Sequence, residues 1–311
     1  MADAGAPAIP VPVLLVTGVL GAGKTTLINS LLNADHGLAL AVVVNDFGAI
    51  NIDEVILSGT GHPVFGLKNG CICCSLQGDL LRTLRAILSV RAAPDAIVIE
   101  ASGVSDPRGI LEALFDPVLR EAVRLDAVVT VIDAEDHDPD DALWRTQVRA
   151  ADFVVLAKGA AIDPSALAAL RATLASMHKT LVFAADRDGG VPLDLLLAGG
   201  VRHGAEGGID PSPRLRDDRF VRLEWSSPTP ISLPRFQATI QHLAPHLARA
   251  KGILCVEGPP GRTYVFQLVG RRATLTPAAL PAVGAQLVLI GRSGMFDARR
   301  AAATLETMMQ R

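Results

Sequence analysis

Two short stretches carry residues whose types and spacing can do chemistry. The first is GVLGAGKT at residues 18–25, which fits G-x-x-x-x-G-K-[ST] with Gly18, Gly23, Lys24 and Thr25 at the defining positions. Glycines there let backbone N–H groups close around phosphate oxygens where a Cβ would obstruct them, and Lys24 carries positive charge toward the β- and γ-phosphates. The Thr25 hydroxyl is a candidate Mg²⁺ ligand. Gly18, Gly21, Ala22, Gly23, Lys24, Thr25 and Thr26 are therefore the expected nucleotide contacts. A glycine-rich turn with an incidental lysine is the plainer alternative; the apolar strand before it and the helical pattern after it argue against that. The second stretch is GCICCSL at residues 70–76, with Cys71, Cys73 and Cys74 in a chain whose other cysteine is Cys255. Cysteines this close make strained disulfides, whereas thiolates bind Zn²⁺ and other borderline or soft ions well. Three ligands from one turn leave a fourth position for a carboxylate, a water or an exchanging partner, which suits delivery better than permanent structural binding. Redox-active thiols and inert buried cysteines are the competing readings.

A phosphate loop needs an acidic group opposite it to hold the magnesium shell and position water. DAIVIEASG offers Glu100 at the end of an apolar run with Gly103 three residues on, a D-x-x-G-like switch with Glu in place of Asp. In that pattern the glycine N–H senses the γ-phosphate; a solvated strand-end carboxylate is the alternative. VNDFGAINID (44–53) brings Asn45, Asp46, Gly48 and Asp53 into a loop expected near both the phosphates and the cysteines, though loop carboxylates are as often simply solvated. Other candidates read as structural. His242 and His246 have i, i+4 spacing but Pro245 intervenes, the carboxylates of DAEDHDPDD around His137 fit an exposed loop, and Cys255 fits a small core residue in GILCVEG.

The elements that must position these groups follow from the apolar pattern. VPVLLV (11–16) leads into the phosphate loop and then TTLINSLLN, giving strand, loop and helix in succession. Further strand-length runs occur at LALAVVV (38–44), AIVI (96–99), AVVTVI (127–132), FVVLA (153–157) and LVFAA (181–185), with helical stretches such as LQGDLLRTLRAILS and DPSALAALRATLASM between them. Strands without polar alternation, spaced by helices, predict an α/β fold whose mostly parallel sheet is covered on both faces. Gly, Pro and charge crowd together at 198–218, which predicts a linker between a domain at 1–197 and a smaller α+β domain at 219–311. The latter is read from RFVRLEW, a helix from PRFQATIQHL to ARA, the runs GILCVEG, TYVFQLV and QLVLIGR, and a final helix near ARRAAATLETMMQ.

The 311 residues are half hydrophobic and a fifth charged, with a net charge of −3 from 29 basic and 32 acidic side chains spread without blocks. That balance lacks the footprint of a nucleic-acid or membrane-surface binder. Asp3 and the absence of a basic residue before the first apolar run do not fit a secretory leader, and no run approaches the ~18 apolar residues of a membrane span. A cytoplasmic protein is expected, where clustered cysteines stay reduced.

Taken together, GVLGAGKTTLINSLL, NDFGAINID, LKNGCICCSLQGDL, IEASGVSDP and RLDAVVTVIDA resemble the CobW family of P-loop GTPases, also called zinc-regulated GTPase metalloprotein activators. The C-x-C-C after an Asn-Gly pair is the specific part, and RFVRLEW, KGIL and LVLIGR echo the family's C-terminal domain. The resemblance implies a GTP-hydrolysing metallochaperone in which GTP shapes a site for Zn²⁺ or Co²⁺ at Cys71, Cys73 and Cys74, and hydrolysis helps release the ion. The recipient would be a client metalloprotein or a component of a cobalamin pathway. Asp46 joins the site where the family commonly has Glu. The implied chain is a monomer or weak homo-oligomer. One departure is plain: Ala157 and Ala160 replace the Asn and Asp of the guanine-reading N-K-x-D, while Lys158 remains. A site without its polar reader can lose on the order of 10⁴-fold in discrimination. ATP in place of GTP, or a regulatory protein that no longer hydrolyses nucleotide and carries a metal or redox thiol site, therefore stays open. Lys158 stacked on a base, backbone groups, or the AADRDG loop (184–189) could substitute for the lost contact.

Overall fold

The computed structural model describes residues 10–44, 63–66, 76–89, 93–160, 162–186, 190–197, 202–203, 209–210, 218–258, 262–277 and 284–309. The chain divides into two compact units, Met1–Pro213 and Arg214–Arg311.

The first unit runs β1 (Val11–Thr17), α1 (Lys24–Asn33), β2 (Leu40–Val44), β3 (Val64–Gly66), α2 (Leu76–Leu88), β4 (Ala96–Glu100), α3 (Arg108–Leu114), β5 (Val123–Asp133), α4 (Ala142–Ala150), β6 (Phe153–Ala157), α5 (Pro164–Ser176), β7 (Val182–Ala184) and α6 (Leu193–Leu196). A short antiparallel pair, β8 (Arg202–His203) and β9 (Ile209–Asp210), lies in the stretch expected to be an unstructured linker. The sheet order is β3-β2-β4-β1-β5-β6-β7, and each of these pairings is parallel. Every residue of β1, β2, β4 and β5 is buried, because a parallel sheet sandwiched by helices has no wet face. Val13, Leu15, Val43, Ile97 and Ile99 pack with Leu80, Leu84 and Ile87 of α2 and Ile110 and Leu114 of α3. Ile132, Val154 and Leu156 pack with Trp144 and Val148 of α4 and Leu167, Leu170 and Leu174 of α5.

Two differences from the sequence reading have clear causes. β5 starts at Val123 rather than at Ala127, because Arg124 and Asp126 point to the same face and pair at 3.3 Å. Arg124 Nε also donates to the Pro10 carbonyl at 3.1 Å, so two charges are satisfied inside a buried strand. β3, three residues at the sheet edge, was not expected because it is too short to show as an apolar run.

The second unit contains β10 (Phe220–Ser227), α7 (Leu233–Leu243), a 3₁₀ turn (Ala244–His246), β11 (Leu247–Val256), β12 (Arg262–Val269), β13 (Arg272–Pro277), β14 (Ala285–Arg292) and α8 (Ala298–Met309). Its antiparallel sheet has the order β10-β14-β11-β12-β13. The helix expected to reach residues 248–250 stops at Leu243: Pro245 lacks an N–H to continue it, and Ala248, Arg249 and Ala250 belong to β11. β13 was also not anticipated; it is an edge strand with largely half-exposed side chains and no continuous apolar run. No helix among the described residues is long and apolar enough to cross a membrane.

Candidate functional site

The loop between β1 and α1 sits at the C-terminal end of the central strand, where open parallel sheets bind ligands. Gly18, Gly21 and Gly23 have φ of 145°, 76° and 98°, a region that L side chains rarely enter. A Cβ at Gly18 would stand 2.2 Å from the Val131 carbonyl oxygen of β5, so the loop can lie against the sheet only with glycine there. Gly23 caps α1 without a side-chain hydrogen bond, and the helix begins with an N-terminus suited to an anion. Lys24 is buried and its Nζ donates to the Gly18 carbonyl at 3.1 Å and the Val19 carbonyl at 3.2 Å. The ammonium is thus held over the concavity into which phosphate oxygens would fit.

Thr25 Oγ1 donates to Glu100 Oε1 at 3.2 Å. β4 and β1 are in register at Val16 and Glu100, and the Ala101 N–H continues the ladder to the Val16 carbonyl at 2.8 Å. Glu100 is therefore buried at the strand end facing the loop, not a solvated terminus. A hydroxyl and a carboxylate are hard oxygen donors, and they suit Mg²⁺ with remaining positions left to water and phosphate. Gly103 lies against the loop itself: a Cβ on it would stand 2.5 Å from Leu20 N and 2.6 Å from Leu20 Cα. The sequence reading thus placed Lys24, Thr25, Glu100 and Gly103 around one loop, and the fold brings them together there.

On the other side of β1, Lys158 follows β6 with φ 56°, an αL turn unusual for a non-glycine residue. Its Nζ donates to the Gly21 carbonyl at 3.2 Å and to Asp133 Oδ2 at 2.5 Å, so its stem crosses beside the phosphate loop. Burial would raise the Asp133 carboxyl, but the hydrogen bond from Lys158 and those from the Glu135 and Asp136 N–H groups outweigh it and hold it below the ordinary value. The same hydrogen bond, reinforced by the charge of Asp133, raises Lys158. Asp133 fell within the stretch read as an exposed loop but is buried and bonded to Lys158, whereas Asp186 falls within the AADRDG loop already named as a substitute for the lost contact. Asp186, just beyond β7, accepts a hydrogen bond on Oδ2 from the Ala160 N–H at 2.6 Å.

Cys71, Cys73, Cys74, Asn45, Asp46, Gly48 and Asp53 lie outside the described residues. Their neighbours are placed: Val44 is in register with Glu100 on one side and with Gly66 on the other. At the usual strand spacing of ~4.8 Å, the chain passes Gly66 toward the cysteines roughly 10 Å along the sheet edge from Glu100. Among the described residues no cluster of His, Cys, Asp and Glu could hold a metal ion. The lesser candidates have structural roles or none. Asp141 caps α4 by accepting from the Trp144 N–H, Asp138 accepts from the Asp140 N–H, Cys255 is buried in β11, and His242 and His246 are exposed.

Residues 12–184 match the family described as CobW/HypB/UreG, nucleotide-binding domain, and residues 220–309 match the cobalamin synthesis protein cobW C-terminal domain. The zinc chaperone CobW of Pseudomonas aeruginosa is 33% identical over 306 residues, covering 84% of this chain and 81% of that protein. The zinc chaperone YjiA of Escherichia coli is 31% identical over 281 residues, covering 84% and 87%. The crystal structure of Zn(II)-bound YjiA GTPase from E. coli aligns with 97% of this chain and 100% of its own at 23% identity, with a TM-score of 0.47.

Proposed function

The chain belongs to the CobW family, carrying its nucleotide-binding domain and its C-terminal domain in order, and from that premise we propose that it is a GTP-dependent metallochaperone. It binds and hydrolyses GTP at the loop of residues 18–26 and uses the nucleotide state to load and release Zn²⁺ or Co²⁺ at Cys71, Cys73, Cys74 and Asp46. The recipient is a client metalloprotein or a cobalamin-pathway component, reached in the cytoplasm. Residues 1–197 carry the nucleotide and metal sites, 198–218 link them to the smaller domain at 219–311.

The observation that carries this reading is the register Glu100–Val44–Gly66. The strands that precede both segments assigned to the metal end in register with the one that ends at Glu100, which supports a coupling of the γ-phosphate to the thiolates through the hydrogen-bonded edge of the sheet. The loop N–H groups and Lys24 hold the phosphates, Thr25 and Glu100 provide oxygen donors, and Glu100 orients the attacking water. Bound Mg²⁺ would supply charge neutralisation across the β- and γ-phosphates. The N–H of Gly103, whose Cα packs on the Leu20 backbone, registers whether the γ-phosphate is present. Thiolates from one turn give the cargo ion three soft ligands and leave it an exchangeable position.

Coupling requires the ion to bind more tightly in one nucleotide state than in the other. Zn²⁺ and Co²⁺ affinities measured with GDP and with a non-hydrolysable GTP analogue test this; equal affinities would refute the coupling, and unchanged binding in a Cys71→Ser, Cys73→Ser, Cys74→Ser variant would refute the site. The alanines at 157 and 160 favour a second reading, an ATP-preferring or hydrolysis-deficient regulator. GTP turnover no faster than that of Lys24→Ala would establish that one instead.

A further inference from the structure

We infer that Asp186 supplies the base-reading carboxylate that the loop after β6 lacks, making it the specificity-determining residue for guanine. The inference rests on the proposed nucleotide site and names the base that site selects.

The strands place the carboxylate. β6 and β7 are parallel, with Leu156 in register with Ala184, and the Ala185 N–H donates to the Leu156 carbonyl at 2.8 Å. The turns that follow the two strands therefore lie side by side at the ligand-binding edge of the sheet. Ala160 stands two residues after Lys158, where a carboxylate would be needed, and its methyl has no polar atom to offer. Its N–H instead holds Asp186 Oδ2 at 2.6 Å, and Asp186 Oδ1 lies 3.2 Å from where a side chain at Gly159 would begin. A carboxylate from another strand thus rests on the backbone of Gly159 and Ala160, on the loop that also carries Lys158. Because Lys158 reaches the phosphate loop at Gly21, the base of a nucleotide seated there lies over the same turn. Asp186 is exposed, so the carboxylate is open to a ligand rather than packed in the core.

The chemistry selects guanine. Guanine presents two donors side by side, N1–H and the exocyclic amine, to which a carboxylate can accept in a fork. Adenine presents a bare ring nitrogen at the equivalent position, and its lone pair faces the carboxylate charge. The hydrogen bond from Ala160 fixes the side chain before the ligand arrives, which reduces the ordering cost of recognition. The plainer role for Asp186 is a staple between two turns. Substitution separates the two, because Asn keeps an oxygen for the Ala160 N–H but turns the other group into a donor.

The test is calorimetric titration of the full chain with GTP, ATP and xanthosine triphosphate in Mg²⁺, for wild type, Asp186→Ala, Asp186→Asn and the double variant Asp186→Ala, Ala160→Asp. The wild type is expected to prefer GTP. Asp186→Ala should lower GTP affinity on the order of tenfold to a hundredfold with ATP little changed. Asp186→Asn should lose GTP and gain xanthosine triphosphate, whose ring carries an oxygen in place of the amine. The double variant should recover GTP preference, because the carboxylate returns from position 160. A wild type that prefers GTP together with an unchanged GTP-to-ATP ratio in Asp186→Ala would overturn the inference and leave the proposed function standing. A wild type that prefers ATP, or does not discriminate, would overturn both.

Discussion

Gly103→Ala is a demanding perturbation of the nucleotide site, because the methyl it adds has backbone in its way. The new Cβ would stand 2.5 Å from Leu20 N, 2.6 Å from Leu20 Cα and 3.0 Å from Val19 C, all within the phosphate loop. Ordinary contact begins at 3.4 Å, so either the loop or the turn after β4 must retreat by about 0.9 Å. No flexible side chain can absorb the shift. Overpacking of this kind costs about 1–3 kcal/mol, and at roughly 2–4 °C per kcal/mol for a domain of ~200 residues the melting temperature falls by several degrees. Displacing binding groups by about 1 Å can cost on the order of a hundredfold in function, so nucleotide affinity should fall by more than the stability loss alone would give. Gly21→Ala is the control: its Cβ meets nothing within 4 Å, while φ 76° imposes backbone strain without a clash. Calorimetric affinity for GTP with Mg²⁺ and thermal melting, measured on both variants, separate the effects. Gly103→Ala with wild-type affinity and wild-type melting would show that the two loops are not in the contact described.

Glu100→Gln keeps the shape of the buried side chain and an oxygen for the Thr25 hydroxyl but removes the charge, so GTP should still bind while single-turnover hydrolysis falls by on the order of 10²–10³-fold; unimpaired turnover would exclude Glu100 from the site. The Asp133–Lys158 pair gives a pH signature. Asp133 is held below its ordinary value, so its contribution to stability is present above the unfolded value of about 3.9 and is lost as pH falls through the still lower folded value. Lys158 is raised, so its contribution is present below about 10.4 and is lost as pH climbs past the folded value. The difference in melting temperature between wild type and Lys158→Met should therefore be flat from about pH 5 to about pH 9 and shrink outside that window; a difference that varied across neutral pH would point to another group.

The phosphate loop was legible because its motif states a geometry: glycines where the backbone turns through positive φ, and a lysine at the first residue of the helix. Glu100 was legible as the polar end of an apolar strand whose parallel neighbours could be listed from the same pattern. The AADRDG loop was legible as a stand-in for the lost base contact, but Asp186 within it was not, since its meaning depends on a contact with Ala160 across 26 residues that only the β6–β7 pairing creates. Arg124 and Asp126 misled in the opposite direction. Charges normally end an apolar run, and nothing local announces that two residues apart on one strand they neutralise each other. The edge strands β3 and β13 escaped because an edge needs neither length nor a continuous apolar face.

β1 divides the site into two chemically different halves. On one side stand β4, β2 and β3, ending at Glu100, Val44 and Gly66; on the other stand β5, which ends at Asp133, and β6 and β7, which are followed by Lys158 and Asp186. The phosphate loop touches both, through Thr25 and Glu100 on the first side and through Gly21 and Lys158 on the second. On the proposed function, hydrolysis would alter the γ-phosphate, held by Thr25 and Glu100 of the first half, whereas the base would be the same before and after the reaction. Base selection can therefore change in evolution, as the alanines at 157 and 160 suggest, without disturbing the groups that respond to hydrolysis. On that reading, a chain with alanine at 157 and 160 can still carry a working phosphate loop together with Glu100 and Gly103.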